Sequence, residues 1–160
     1  MNYIDTSVIV AYSLENHEKH EKAVKLLESL NGERFVSEIT LLELLEVIRE
    51  IMDSIKLDVE IEGELKILFL LEYMIRICGV KVKSLKLKTK NFKLINEAIW
   101  VSDIAVDIGK MIIAIGLDAV RAMHLAIARK LGAKNFVTLD DEIIKNRSRI
   151  ERLYDIKIIS

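Results

Sequence analysis

The sequence has 160 residues, a net charge of −1 and a single cysteine, and these values exclude several classes of protein. The length is that of one typical domain and predicts one domain over residues 1–160. Hydrophobic residues make up 51% of the chain and charged residues 31%, which excludes a disordered protein. One cysteine cannot form an internal disulfide, and the chain has no basic signal segment and no long uncharged apolar stretch. We therefore expect a cytoplasmic protein without membrane spans.

Short apolar runs alternate along the chain with longer segments of helical periodicity. The predicted strands are 2–4, 34–37, 80–87, 135–139 and 156–159. The predicted helices are 8–14, 18–30, 38–55, 60–78, a helical stretch over 92–115 with a break near Ser102, and 118–131. Strands separated by helices pair in parallel and are covered on both faces. The sequence therefore predicts an α/β fold with three layers, α/β/α, around a short parallel sheet.

Acidic residues follow the first, second and fourth predicted strands, at the edge where an open parallel sheet carries its functional crevice. Asp5 follows the first strand, Asp140 follows the strand at 135–139, and Glu43 lies in the first turns of the helix after the second strand. Carboxylates that meet in one crevice repel each other unless a hard cation such as Mg²⁺ or Mn²⁺ neutralises them. A metal ion held beside water is suited to hydrolysing a phosphodiester. The pattern therefore predicts a metal-dependent hydrolase of phosphodiesters.

Three blocks of the sequence resemble the signature blocks of PIN-domain proteins, especially VapC-type toxins. They are YIDTSVIVAY at residues 3–12, SEITLLELLEVI at 37–48 and IGLDAVRAMHLAIARKLGAKNFVTLDDEI at 115–143. The blocks occur in the family's order and the resemblance covers nearly the whole chain. It implies a metal-dependent ribonuclease with an α/β/α fold and RNA as its substrate. It also implies a homodimer that is inhibited by a small antitoxin protein.

The resemblance also assigns roles to individual residues. The catalytic and metal-binding acids are Asp5, Glu43 and Asp140, with Mg²⁺ or Mn²⁺ as the cofactor. Thr138 matches the threonine of the family's T-x-D block. Thr6 and Ser7 are expected to position water, metal or phosphate.

Arg121 stands where the resembled family has an acid, at the start of a D-A-L-H-L-A motif that here is RAMHLA. Asp118 lies three residues earlier on the same helix face, so it can supply the missing metal ligand or pair with Arg121. Arginine is always cationic, and Arg121 can neutralise the acids that a metal would bind. Two functions stay open: an endoribonuclease, and a PIN-like module that binds RNA or a protein with weakened cleavage.

Each candidate side chain also has an ordinary structural interpretation. Asp5 and Asp140 can be turn residues, and Asp118 can cap its helix. Glu43 falls on an acidic helix face of the kind that is usually solvated. His124 shares an apolar helix face and is predicted to be a core residue rather than a metal ligand.

Six lysines lie in one thirteen-residue segment. They are Lys81, Lys83, Lys86, Lys88, Lys90 and Lys93. Phosphate contacts supply most of the non-specific affinity for RNA, so the segment can be an RNA-binding track. Lysines also protect exposed strand edges against aggregation, and both interpretations stay open. The apolar run at 67–75 is predicted to be core, with a partner interface as the alternative.

Overall fold

The computed structural model describes residues 1–55, 63–93 and 98–160. In that part of the chain the strands are β1 (Asn2–Ile4), β2 (Arg34–Ser37), β3 (Lys81–Lys83), β4 (Thr89–Lys93), β5 (Ala98–Ser102), β6 (Asn135–Val137) and β7 (Lys157–Ile159). The helices are α1 (Thr6–Ser13), α2 (His20–Ser29), α3 (Glu38–Ile51), α4 (Glu64–Ile77), α5 (Asp103–Ile115), α6 (Ala119–Lys130), α7 (Asp141–Lys145) and α8 (Arg147–Tyr154).

Five strands form one parallel sheet in the order β3, β2, β1, β6, β7. β1 is central, and Tyr3 is in register with Phe35 of β2 and with Phe136 of β6. Successive residues of a strand face opposite sides, so these three rings lie on one face of the sheet and their neighbours on the other. The parallel sheet confirms the predicted α/β fold.

Apolar side chains cover both faces of this sheet. On the face of the three aromatic rings, buried residues of α5, α6, α7 and α8 form one apolar cluster with Tyr3, Phe35 and Phe136. On the opposite face, buried residues of α1, α2, α3 and α4 pack against Ile4, Val36 and Val137. The helices thus form the two outer layers that the sequence predicted. No helix among the described residues combines the length and the apolar content that a membrane crossing needs.

The predicted helical stretch over 92–115 is wrong in its first half. β4 and β5 pair antiparallel there as a separate two-stranded sheet, and α5 begins only at Asp103. Ile99, Trp100 and Val101 favour a strand because β-branched and aromatic side chains suit a pleated surface. The break near Ser102 is confirmed, since its hydroxyl accepts a hydrogen bond from the Ala105 amide at 3.3 Å and caps α5.

Other differences concern the ends and number of the elements. The strand predicted at 80–87 ends at Lys83, the first helix begins at Thr6, and α3 ends at Ile51. The predicted start of the helix at 60–78 lies outside the described residues, and α4 is observed from Glu64. The sequence predicted neither α7 nor α8, which are short and mostly polar.

The apolar run at 67–75 is only partly core. α4 buries Leu70 and Met74 against the sheet, as predicted. Leu65, Leu68 and Phe69 of the same helix stay exposed, with 68%, 58% and 43% of their surfaces accessible. One side of α4 therefore presents large apolar side chains to the surface.

Candidate active site

A crevice of about 470 Å³ lies beyond the carboxyl ends of β1 and β6, which are neighbours in the sheet. β1 positions Asp5, β6 leads into Asp140, and α3 supplies Glu43. The start of α6 supplies Asp118 and Arg121. Seven residues predicted for the site line this crevice together: Asp5, Thr6, Ser7, Glu43, Asp118, Arg121 and Asp140. The eighth predicted residue, Thr138, does not line the crevice but donates a hydrogen bond to Asp5.

Two hydroxyl groups fix Asp5 at the end of β1. The hydroxyls of Ser7 and Thr138 each donate to its Oδ2 at 2.7 Å. The Thr138 Oγ1 also accepts the amide N–H of Asp140 at 2.9 Å, so it ties the two strand ends together. Burial raises the pKa of the Asp5 carboxyl above its ordinary value, against the opposing effects of His124 and the two hydroxyls. Its second oxygen, Oδ1, accepts no hydrogen bond from the described part of the chain.

Glu43 is held by Thr6 and His124. Its Oε2 accepts a hydrogen bond from the Thr6 hydroxyl and lies 2.8 Å from Nε2 of His124. The geometry of this contact is not that of an aligned hydrogen bond, and the contact is an ion pair when His124 is protonated. Burial acts to raise the pKa of Glu43, but His124 and Thr6 outweigh it and lower that pKa. The other oxygen, Oε1, has no partner among the described residues.

His124 is buried, as predicted, and yet it forms part of the crevice. Its Nδ1 is 2.8 Å from the hydroxyl of Tyr3, which also contacts Ser37 Oγ at 2.9 Å. Burial acts to lower the pKa of His124, but the contact with Glu43 and the charge of Asp5 raise it above the ordinary value. Sequence reasoning missed Tyr3 entirely. The histidine of the RAMHLA block was the only signal for His124, and its apolar helix face concealed it.

Arg121 bridges Asp118 and Asp140. Its Nε lies 3.0 Å and 2.9 Å from the two carboxylate oxygens of Asp140, and Nη2 lies 2.9 Å from Oδ2. Its Nη1 pairs with Oδ2 of Asp118. Hydrogen bonds to the Arg121 backbone and side chain lower the pKa of Asp118. Burial acts to raise the pKa of Asp140, but Arg121 and the amides of α7 outweigh it and lower that pKa.

Asp118 and Asp140 also cap helices, as the structural interpretation of Asp118 proposed. The Asp118 Oδ1 accepts the Arg121 amide at 2.9 Å at the start of α6. The Asp140 Oδ1 accepts the amides of Glu142 and Ile143 at 2.9 Å and 3.1 Å at the start of α7. Capping and pairing with Arg121 together engage every oxygen of these two carboxylates.

The crevice therefore has two halves that differ as sites for a metal ion: one contains Asp5 and Glu43, and the other contains Asp118 and Asp140. Within residues 1–55, 63–93 and 98–160, no group of three or more Asp, Glu, His or Cys side chains is arranged to hold a metal. Mg²⁺, however, commonly uses only one or two carboxylates and keeps several waters. The free oxygens of Asp5 and Glu43 fit that requirement for one ion. The Asp118 and Asp140 pair does not fit an ion, because Arg121 and helix amides already engage its oxygens.

The six lysines of segment 81–93 fall into three pairs. Lys81 and Lys83 each pair with Glu33, at Nζ–O distances of 3.5 Å and 2.8 Å. Lys86 and Lys88 are exposed. The side chains of Lys90 and Lys93 lie outside the described part of the chain. Glu33 thus partly neutralises the first pair, and the second pair is the better placed to meet a polyanion.

A larger cleft, of about 880 Å³, lies between the end of α1 and the helices α3 and α4. Apolar side chains such as Ile48, Phe69 and Met74 line most of it, and its titratable groups are Glu15, His17 and Tyr73. None of the predicted acids reaches this cleft. Hydrolytic chemistry is therefore better supported in the smaller crevice.

Comparison with known proteins agrees with this architecture. The PIN domain model matches residues 3–148. No curated protein matches the sequence. Among solved structures, the chain is similar to VapC20 of Mycobacterium tuberculosis, a sarcin-ricin loop cleaving toxin, at 17% identity and a TM-score of 0.59, over 91% of this chain and 94% of that one. It is also similar to VapBC2 from Rickettsia felis bound to a promoter DNA fragment, at 12% identity and a TM-score of 0.57, over 99% and 97%.

A third similar structure is VapBC-1 from nontypeable Haemophilus influenzae, at 16% identity and a TM-score of 0.56, over 99% of this chain and 96% of that one. At such identities these structures establish the shared fold. The family model matches far more than half of the chain, including Asp5, which follows β1, and Asp140, which follows β6. The chain belongs to the PIN domain family.

Proposed function

We propose that this chain is a metal-dependent endoribonuclease that hydrolyses RNA phosphodiesters in the crevice between β1, α3 and α6. One observation carries the proposal: Asp5 and Glu43 face the same crevice, and each keeps one carboxylate oxygen that no described residue contacts by a hydrogen bond or an ion pair. PIN domains are generally nucleases, which agrees with this chemistry. Mg²⁺ or Mn²⁺ held by the two acids would supply a Lewis acid for the phosphate and lower the pKa of water.

The neighbours of the two acids position them before the substrate arrives. Ser7 and Thr138 hold one oxygen of Asp5, and within residues 1–55, 63–93 and 98–160 nothing donates to the other oxygen, Oδ1. Thr6 and His124 do the same for Glu43 and leave Oε1 free. Such preorganisation matters because a site loses much of its rate when a ligand is misplaced by about 1 Å. These contacts give Thr6, Ser7 and Thr138 a positioning role.

The proposal extends to partners. The structural neighbours include VapBC complexes, and we propose a small antitoxin protein as the regulator of this chain and a homodimer as its assembly. The exposed apolar residues Leu65, Leu68 and Phe69 of α4 are of the kind that protein interfaces bury. We propose the cytoplasm as the location, where RNA is available. Light scattering of the purified chain, alone and with a co-expressed neighbouring gene product, tests both partners.

Arg121 favours a second function, an RNA- or protein-binding module with weakened cleavage. It engages two of the five acids that line the crevice and lowers the pKa of both. If the remaining pair does not support hydrolysis, RNA would bind without being cut. This function differs from the first in a measurable way, because it predicts affinity without ion-dependent products.

A mixed RNA pool incubated with Mg²⁺, Mn²⁺ or EDTA tests the two functions. The first predicts cleavage that requires the ion and is lost in Asp5→Asn and in Glu43→Gln. Glu50→Gln is the matched control, because Glu50 lies on the same helix α3 and is exposed. Cleavage in EDTA, or full activity of the Asp5→Asn variant, would contradict the proposal. Retention of intact RNA by the native chain would support the binding module.

A further inference from the structure

We infer that Arg121 is a built-in counter-ion that takes the place of a second divalent ion, so that the chain binds one ion rather than two. The inference rests on the proposed function, because it takes the Asp5 and Glu43 half of the crevice as the site of the ion. It concerns the other half, formed by Asp118 and Asp140. Three observations carry it: the oxygens already engaged, the fixed charge of the guanidinium and the attachment of its partners to two helices.

The first observation concerns the acceptor oxygens. A hard divalent cation needs carboxylate oxygens with free lone pairs. Both oxygens of Asp140 receive hydrogen bonds from Arg121, and Oδ1 receives two further amides. One oxygen of Asp118 receives the Arg121 amide and the other pairs with Nη1. An ion bound by both acids would have to compete with the guanidinium of Arg121 for the same oxygens.

The second observation is the nature of the cation. A guanidinium does not lose its proton in proteins, so Arg121 cannot become neutral to admit a divalent ion. The two carboxylates raise its pKa further above the ordinary value. His124, in the other half, carries charge only when it is protonated, and it lies 2.8 Å from Oε2 of Glu43 without contacting Oε1. The protein therefore places a permanent cation in one half and a titratable base in the other.

The third observation is that the partners of Arg121 are anchored. Asp118 caps α6 and Asp140 caps α7, so each carboxylate is fixed by backbone amides as well as by the guanidinium. Arg121 thereby links the starts of the two helices across the crevice. Its removal would leave Asp118 and Asp140 as two neighbouring anions held in place by their helices. That arrangement is the one a hard cation would stabilise.

Titration with Mn²⁺ in the absence of RNA tests the inference. Isothermal calorimetry should give one ion per native chain, and this ion should be lost in Asp5→Asn. Arg121→Gln should bind a second ion or bind Mn²⁺ at least tenfold more tightly, and Arg121→Lys, which keeps the charge, should stay at one. Replacing both Asp118 and Asp140 by Asn in the Arg121→Gln chain should abolish the gain. Two ions on the native chain, or no gain in Arg121→Gln, would overturn the inference.

The outcomes separate this inference from the proposed function. No ion on the native chain but one on Arg121→Gln would refute the Asp5 and Glu43 ion and support the counter-ion role. If the native chain binds one ion that Asp5→Asn removes, and Arg121→Gln binds no more, the result would support the Asp5 and Glu43 ion and refute the counter-ion role. If the Arg121→Gln chain is unfolded without metal, its folding is measured by thermal unfolding with and without Mn²⁺. Folding induced by Mn²⁺ supports the inference, and a chain that stays unfolded with Mn²⁺ contradicts it.

Discussion

Thr138→Val should destabilise the fold more than Thr138→Ser, although valine has nearly the shape of threonine. Thr138 is fully buried, and its hydroxyl makes two short hydrogen bonds at the junction of β1 and β6, besides a longer contact of 3.4 Å with the Ser7 hydroxyl. It donates to the Asp5 carboxylate at 2.7 Å and accepts the Asp140 amide at 2.9 Å. Valine removes both bonds. Serine keeps the hydroxyl and removes only a methyl group.

The size of the effect follows from these two bonds. A hydrogen bond to a charged group contributes about 1.5–3 kcal/mol, and a buried amide without an acceptor costs about 1–3 kcal/mol. The two terms are not independent, and Ser7 continues to hold Asp5, so we expect about 2–4 kcal/mol for Thr138→Val. For a chain of this length that is a fall in Tm of roughly 4–16 °C. The lost methyl of Thr138→Ser should cost about 1 kcal/mol.

Urea and thermal unfolding followed by circular dichroism measure this difference. The reasoning requires Thr138→Val to be less stable than Thr138→Ser, with the same dependence on denaturant in both variants. A valine variant as stable as the serine variant would refute the bridging role of Thr138. It would also remove the argument that Asp5 is positioned by hydroxyl groups.

Further predictions concern the charges of the crevice and of the lysine segment. Asp5→Asn should stabilise the chain at pH 7, because burial raises the pKa of Asp5 and its ionisation therefore lowers the free energy of unfolding. The gain should vanish below about pH 4, where the carboxyl is neutral in the folded and in the unfolded chain. Asp140→Asn should cost about 1–2 kcal/mol at pH 7, because its lowered pKa stabilises the fold above the pKa of the unfolded chain, and this contribution is lost as the pH falls through the folded value. Urea unfolding at pH 3 to 8 checks both, and equal signs at pH 7 would contradict them. Replacing Lys86 and Lys88 by Ala should reduce the salt slope of RNA binding by about 1.4, measured by fluorescence anisotropy. Lys157→Ala, on the opposite edge strand β7, should leave the slope unchanged, and an unchanged slope in the double variant would leave those lysines as edge protection.

The sequence predicted the parallel sheet because its central strands are short, buried runs between helices. Tyr3, Phe35 and Phe136 lie in such runs, and each run precedes a helix. It failed at β4 and β5 because their pairing joins residues that are separated along the chain, and the apolar spacing of this stretch also fits a helix. It missed α7 and α8 because each buries a single apolar residue, Ile143 or Ile150, which gives no period to detect.

The acids of the site were predicted from different kinds of argument, some from strand topology and one from family resemblance. Asp5 and Asp140 follow from the rule that crevices lie beyond the carboxyl ends of parallel strands. Helix periodicity placed Glu43 on a solvated face, and only the family resemblance assigned it to the crevice. The contact of Tyr3 with His124 joins residues 121 positions apart, so no local pattern could indicate it. For Arg121, helix spacing predicts the pairing with Asp118. Its pairing with Asp140 depends on tertiary structure, and no local pattern could indicate it.

The most direct test of the central claim is the rate at which a single defined RNA is cut in Mg²⁺ by the native chain and by Asp5→Asn, with RNA affinity measured in parallel. We expect the rate to fall by roughly 100-fold or more, because the variant loses a carboxylate oxygen that would hold the ion. RNA affinity should be little changed. Equal rates for the two proteins would contradict the account.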